Sequence, residues 1–455
     1  MTMSARKILY LTIFYCLGNY IIDVIGSHSI KHLEGYKYGN NRRFISVCKL
    51  GWLMGYLSFL AHFFLGTFFQ EPFTYVKFTD HRDKFSPKIL NKWRSLYVKS
   101  WIVLSLLAIG MYFLYFTKST HNFLYFIMGI ANGLWIHIFM FSFGFLVLTF
   151  IKGIMEKAQL GKKILDFLYK WTFTRKFIKD TQYQIIFTLL ISTFLCLVQY
   201  IASNKVSIKY HTLKIKDLPK DAEGFRFALI TDLHTGALVY KEDIVNVVEK
   251  VNDENVDSVF LVGDIIDGPY DIIKDRTEPL KYLKSKYGTY FVTGNHEYYY
   301  GNVQEWIDAF RNEYKFKILE NEVTDLKGMC LVGLHDISAS KNKIGSHVMN
   351  ASIINSCEPK KPIIVLAHNP ASTKEILSEA KERHIDLILS GHTHAGQYYV
   401  MIPYVVVFLP YFYGFYNIGQ DTTLVVSAGT LYQAAPMKMP YLSEIHVFTL
   451  FNKEE

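Results

Sequence analysis

Five short stretches of this 455-residue chain bring together residue types that hold metal ions. They are Asp232-Leu233-His234, Gly263-Asp264 followed by Asp267, Gly294-Asn295-His296-Glu297, Ala367-His368-Asn369-Pro370 and Gly391-His392-Thr393-His394. Carboxylate and amide oxygens mixed with imidazole nitrogens suit divalent first-row ions better than a thiolate zinc site or an all-oxygen calcium site. In extended chain the outer residues of Asp-x-His and His-x-His point to one side, so both can reach a shared pocket. One carboxylate between two cations can bridge them, and a metal pair about 3.5–4 Å apart polarises a phosphoryl oxygen and lowers the pKa of bound water. Gly263, Gly294 and Gly391 each precede a candidate ligand, where the chain must approach the site closely. Taken singly, the motifs have plainer readings: a turn explains Gly-Asp-x-x-Asp, and a core histidine explains His368. It is the whole set, in this order, that points to chemistry.

The elements around these motifs alternate. After Ser203, β-branched runs separated by helix-period segments predict an α/β layered fold. The predicted strands are Phe225 to Ile230, Ser258 to Val262, Thr289 to Thr293, Met329 to Gly333, Ile363 to Ala367, Asp386 to Ser390, Thr423 to Ser427 and Ile445 to Leu450. Helices are expected over Lys241 to Asn255, Glu278 to Lys286 and Ser372 to Arg383. Each metal-type motif follows a predicted strand, beyond the carboxyl end where ligands gather in such sheets.

The first half is different. Up to Ser203 there are 23 Lys and Arg against 8 Asp and Glu, and after it 26 against 32, so the overall charge of +9 belongs to the first half alone. Its basic residues flank long apolar runs, which fits lipid headgroups better than nucleic acid, and no nucleic-acid partner is expected. About twenty apolar residues span a bilayer as helix. Five stretches qualify, 8–25, 50–69, 101–117, 123–151 and 184–202, dividing the chain into a transmembrane region 1–203 and a second domain 205–455. The first span carries Asn19 and Asp23; Asp23 reads either as a helix-packing residue or as part of a polar pathway. Two, seven and eight Lys and Arg lie at the N-terminus, in Gln70 to Ser100 and in Lys152 to Tyr183, which places these segments in the cytoplasm and the second half in a lumen or outside the cell. The amphipathic stretch from Glu156 to Lys179 reads as an interfacial helix or a solvated connector. Among the cysteines, Cys330 and Cys357 are the two of the second half, open to pairing or to remaining free thiols.

With these residues in place, the chain resembles the calcineurin-like metallophosphoesterase superfamily over Phe225 to Leu450, through D-x-H, G-D-x-x-D, G-N-H-E, H and G-H-x-H. Gly-Asn-His-Glu-Tyr-Tyr, Ser-Gly-His-Thr-His-Ala-Gly-Gln and Ser427-Ala428-Gly429-Thr430 with Pro436 look most like its branch of transmembrane proteins with a C-terminal metallophosphoesterase domain. The resemblance implies a four-layer α-β-β-α sandwich behind a multi-span α-helical membrane region, and a metal-dependent phosphoric ester hydrolase. It implies two divalent ions (Mn, Fe or Zn): one held by Asp232, His234, Asp264 and His394, the other by Asp264, Asn295, His368 and His392. Asp264 would bridge them, and His296 would stabilise the phosphoryl group or protonate the leaving oxygen. Asp267 is expected to orient a ligand histidine. Two positions depart from the pattern: Met437 and Lys438 follow Pro436 where the branch often has arginine, and lysine lacks the bidentate fork. His335 stands where a smaller or acidic residue is expected, as a substrate contact or a surface histidine.

The aromatic run Tyr398 to Tyr413 follows the last metal-type histidines. It is too short and Pro-broken to span a membrane. It reads either as a loop dipping into the interface, which favours a lipid or lipid-linked phosphate ester, or as a buried strand pair. The alternatives are a phosphoprotein phosphatase with a passive anchor, and a receptor or transporter with a regulatory metallophosphoesterase domain. The Asn350-Ala351-Ser352 sequon fits a lumenal second half.

Overall fold

The computed structural model describes residues 5–66, 87–116, 123–342, 344–380, 383–419 and 421–453. The ends of the predicted spans at 67–69 and 117, most of the basic stretch from Gln70 to Ser100, and positions 381–382 of the predicted helix Ser372 to Arg383 lie outside the described residues.

The first of two compact units comprises 1–25, 47–112 and 127–197. Among the described residues, five helices of the N-terminal half are long and apolar enough to cross a membrane: α1 (Ala5–Ile30), α2 (Gly35–Gly66), α3 (Pro87–Phe113), α4 (Phe123–Met155) and α7 (Thr181–Ser203). Within this unit Met54, Phe64, Trp101, Trp135, Phe145 and Ile185 form a buried cluster. Two polar side chains bond within it: the Trp135 indole donates to Ser58 Oγ at 2.7 Å and Asn132 Nδ2 to the Ala108 carbonyl at 3.1 Å. Asp23 is ion-paired with Lys49, which offsets the cost of a carboxylate in an apolar helix. The amphipathic stretch is two helices, α5 (Gln159–Leu168) and α6 (Thr172–Lys179), broken at Trp171, and Leu160, Phe167, Trp171 and Phe173 are exposed.

The second unit comprises 26–46, 113–126 and 198–455. It holds two six-stranded sheets. The first runs β1 (Ser207–Ile215), β12 (Glu444–Asn452), β2 (Arg226–Ile230), β3 (Ser258–Val262), β4 (Thr289–Val292) and β5 (Lys317–Ile318), parallel except where β12 meets β2. The second runs β10 (Gly414–Ile418), β11 (Thr422–Val426), β9 (Leu387–Ser390), β8 (Ile363–Leu366), β7 (Met329–Gly333) and β6 (Glu322–Leu326), with antiparallel pairs at both edges. Central strands buried on both faces read as continuous apolar runs. Along β2, Phe227 and Leu229 enter a core shared with Leu331, Leu366, Leu389 and Val425 of the other sheet. A second core forms on the far face of sheet two, where Val332, Val365, Ile388 and Val426 meet Ile354 and Ile376. Truncating a fully buried aromatic such as Phe260 to alanine costs about 3–5 kcal/mol. The remaining helices are α8 (Lys241–Asp253), α9 (Tyr270–Thr277), α10 (Val303–Asn312), α11 (Thr373–Glu379) and α12 (Ile402–Phe408).

Three expectations are corrected. The helix predicted over Glu278 to Lys286 is a 3-10 turn over Glu278–Tyr282, because Pro279 starts a turn well but Leu283 is already extended, at ψ 128°. The helix predicted from Ser372 stops at Glu379. The aromatic run is not a buried strand pair: α12 forms instead, with Pro403 in its first turn, where the missing N–H is harmless. Cys330 and Cys357 are disulfide-bonded.

Candidate metal centre

Strands β2, β3 and β4 are neighbours in sheet one, and β8 and β9 are neighbours in sheet two, so all five motifs emerge at adjoining carboxyl ends. Asp232, His234, Asp264, Asn295, His368 and His394 are buried there, with His392 half-buried. Asp232, His234, Asp264, His392 and His394 all have positive φ, between 48° and 73°. Non-glycine residues in that region cost on the order of 1–3 kcal/mol each and gather at sites where geometry outweighs backbone preference. Close approach is also required of the glycines. A Cβ on Gly391 would lie 2.2 Å from Asp232 Oδ2, and one on Gly294 would lie 2.2 Å from Asp264 Oδ1.

Four clusters of ligand-type residues occur among the described residues, and two of them are made of predicted ligands alone, Asp232 with His234 and His394, and Asp264 with His368 and His392; the others are His234 with Asp267 and His296, and Glu320 with His335 and His347. In the first, His234 Nε2 stands 2.9 Å from His394 Nε2, and His394 Nε2 lies 3.4 Å from Asp232 Oδ1. In the second, His368 Nε2 lies 3.1 Å from Asp264 Oδ2. Asp264 also faces the first group, with Oδ2 3.9 Å from His234 Nε2. Among the described residues three buried atoms of the predicted ligands, Asn295 Oδ1, His392 Nδ1 and His394 Nδ1, have no hydrogen-bond partner, while His368 Nε2 meets the Asp264 carboxylate. Unpaired buried polar atoms are costly, and this donor set is what two divalent ions would satisfy.

The surroundings fix each ring. His368 Nδ1 contacts the Val262 carbonyl at 2.8 Å, which makes it the N–H donor and leaves Nε2 as a lone pair. Asp267 takes the same role for His234, whose Nδ1 lies 3.2 Å from Oδ2, and its other oxygen contacts His296 Nδ1. Burial alone would raise the Asp267 carboxyl, but His296 and His234 hold it well below the usual carboxylate range. Asp264 behaves likewise: burial opposes its charge, while His368 and His296 hold it low. Burial opposes charging His234 too, yet Asp267, Asp264 and Asp232 raise it to about 9, a measure of how strongly these carboxylates demand positive charge.

Several residues of the site had no assigned role in the sequence reading. Glu297, the last residue of the Gly-Asn-His-Glu motif, accepts backbone N–H bonds from Gly294, Asp264, Ile265 and Ile266, at 2.6, 3.0, 2.7 and 3.3 Å. It ties the end of β4 to the end of β3. Gln433 places its side-chain amide 2.6 Å from His296 Nε2, and its backbone N–H donates to Gln397 Oε1 at 2.9 Å. The Gln397 of Ser-Gly-His-Thr-His-Ala-Gly-Gln was the available signal for that link.

Lys438 is fully buried, donates from Nζ to the carbonyls of Gly429 and Leu431 at 2.6 and 2.5 Å, and is pushed by burial down to about 7. It braces its own loop. His335 is buried rather than superficial, its ring stacked 4.4 Å from that of His347.

Residues 225–396 match the family model for calcineurin-like phosphoesterases. A transmembrane protein with metallophosphoesterase domain from Danio rerio is 34% identical over 242 residues, covering 51% of this chain and 54% of that one. An uncharacterized metallophosphoesterase from Helicobacter pylori is 37% identical over 246 residues, covering 53% and 65%. The chain therefore spans between half and two thirds of these relatives. A solved dimetal phosphatase from Danio rerio aligns with 50% of this chain and 93% of its own, at 12% identity and a TM-score of 0.36. The C-terminal half of this chain carries a calcineurin-like phosphoesterase domain, and five helices long and apolar enough to cross a membrane precede it.

Proposed function

We propose that this protein is a membrane-anchored phosphoesterase that uses two divalent ions, with Asp232, His234, Asp264 and His394 holding one and Asp264, Asn295, His368 and His392 holding the other. The observation that carries this reading is the convergence of two groups of ligand-type atoms at the carboxyl ends of two sheets, with the buried Asn295 Oδ1 and His392 Nδ1 left without hydrogen-bond partners. Such ions, Mn, Fe or Zn, supply positive charge to phosphoryl oxygens and activate water when bound. The chain's own residues do the rest. Asp264, between the two groups, sets their spacing. His296 has Nδ1 against the Asp267 carboxylate, so its Nε2 faces outward, where it accepts from the Gln433 amide; once protonated, that atom would donate to the departing alcohol oxygen. Asp267 stabilises the charged imidazole before that transfer, and the Glu297 network keeps the β3 and β4 ends from shifting. Positioning and electrostatics of this kind supply most of the catalysis in phosphoryl transfer.

The substrate we favour is a phosphate ester of a lipid or lipid-linked molecule. Helix α12 begins eight residues after His394 and exposes Tyr404, Val406, Val407 and Phe408, with Val407 74% and Phe408 64% accessible. Aromatic and branched side chains in that setting suit a bilayer interface. The Cys330–Cys357 disulfide and the basic cytoplasm-type loops support a catalytic domain in a lumen or outside the cell, with the N-terminus in the cytoplasm. Metal analysis of the full-length protein with a panel of aryl monoesters, aryl diesters and phosphorylated lipids in micelles tests the reading. Metal-dependent hydrolysis is expected, and its absence across the panel contradicts it.

A further inference from the structure

A phosphate monoester brings two negative charges to the site, and Lys438, the cation of the late loop, has its ammonium turned onto the Gly429 and Leu431 carbonyls. We propose that Arg43, 253 positions upstream of His296, completes an anion subsite with Tyr299 and Tyr300 that takes the non-bridging oxygens of a phosphate monoester. The proposal rests on the phosphoesterase reading above and adds to it a residue far outside the family motifs.

Arg43 lies near the start of α2, and its guanidinium faces the residues that follow Gly-Asn-His-Glu. Nε and Nη2 donate to Tyr300 Oη at 3.3 and 3.2 Å, and Cζ stands 4.5 Å over the Tyr299 ring. Both tyrosine rings border His296, with centroids 4.9 Å and 5.9 Å from the imidazole. The Arg43 Nη1 makes no hydrogen bond among the described residues, which leaves a charged donor for a ligand. The placement is built rather than incidental. Asn40 Oδ1 accepts the Gly301 N–H at 3.1 Å, and Arg42 donates to the Lys341 carbonyl at 3.0 Å, so the segment is pinned at two points beside Arg43. The ring of Tyr115 stacks on Tyr300 at 5.0 Å, and its hydroxyl accepts the Ala434 N–H at 3.1 Å, beside the Gln433 that meets His296. A planar guanidinium matches phosphate oxygens in a way an ammonium does not.

The test uses the metal-loaded full-length protein in detergent, with inhibition by inorganic phosphate and KM for an aryl phosphate monoester and an aryl phosphodiester. Arg43→Gln should raise the phosphate inhibition constant and the monoester KM about tenfold, the loss of one charge-assisted contact. The diester KM should change less than about threefold, and the metal content should hold. Arg43→Lys, which keeps the charge and most of the packing, should fall between and stands in if the glutamine variant does not fold. A clamp that only steadies the tyrosines would lower turnover on both esters alike and leave phosphate inhibition unmoved, and that result overturns the proposal. Wild-type protein that neither binds phosphate nor hydrolyses either ester would instead overturn the phosphoesterase reading beneath it.

Discussion

His234 Nε2 and His394 Nε2 stand 2.9 Å apart, two imidazole nitrogens from different sheets brought to hydrogen-bond distance in a buried, carboxylate-lined space. Asp267 contacts His234 Nδ1, which turns the Nε2 atom toward a neighbour that is itself a good metal ligand. The pair makes chemical sense as two ligands of one cation.

Asp267 joins His234 to His296, so its replacement should affect both. Asp267→Asn keeps the shape but removes the charge that fixes both rings. It should weaken metal binding about 10–100-fold, the usual cost of losing a partner behind a ligand histidine. Turnover at saturating metal should stay depressed, because His296 loses its counter-charge. Metal titration followed by assay in excess metal separates the two effects; full recovery of turnover would contradict the role given to His296.

Glu297→Gln turns an acceptor for four backbone N–H groups into a side chain with a donor facing some of them. An unsatisfied buried group costs about 1–3 kcal/mol. A lowered thermal midpoint is expected both in metal-free and in metal-loaded protein. No change in either would show that Glu297 is not the brace between the β3 and β4 ends.

His335 packs beside His347 in a cluster with Glu320, and burial together with the His347 neighbour pushes it down to about 3. The folded protein thus holds His335 neutral while the unfolded chain protonates it near its ordinary value of about 6.5. Its contribution is present above pH 6.5 and is lost as pH falls toward 3, because the unfolded state then binds the extra proton. Thermal midpoints at pH 7 and pH 5 should differ less in His335→Gln than in wild type, by on the order of 1–2 kcal/mol of stability. An equal drop in both proteins would count against it.

Val407 and Phe408 project from α12 without being needed by the core. Replacing both with aspartate should leave hydrolysis of a soluble aryl phosphate within about twofold. Activity on phosphorylated lipid in micelles should fall about tenfold or more, given roughly 1.5–3 kcal/mol for each large apolar side chain withdrawn from an apolar phase. Equal activities on both substrates in wild type and variant would remove the argument for lipid docking.

What could be read along the chain and what could not follow a physical division. The five metal-type motifs were legible because each lies within a few residues of one strand end, where local sequence carries both the strand and its polar tip. The contributions of Gln433, Tyr115 and Arg43 were not, because they approach His296 from positions more than a hundred residues away and no local pattern marks them. Glu297 sat in plain view, but its task is to hold backbone N–H groups of another strand, which only the pairing of β3 with β4 reveals. Strand β1 was missed because Lys209, His211 and Lys214 give a sheet-edge sequence the look of a linker, although it pairs with β12 along nine residues. The helix expected after Thr277 failed at Leu283, where apolar spacing continued but backbone direction did not.

The most direct measurement is the divalent metal content of the full-length protein alongside its phosphate-ester turnover, in wild type and in Asp264→Asn. Two ions per chain are expected in wild type, with hydrolysis lost on chelation and restored by added metal. In the folded variant less than two should remain, and turnover should fall a hundredfold or more, in line with several kcal/mol of charge stabilisation by the ions Asp264 holds, at about 1.4 kcal/mol per tenfold. Turnover that survives chelation, or an Asp264→Asn protein with two ions and undiminished rate, would contradict the account.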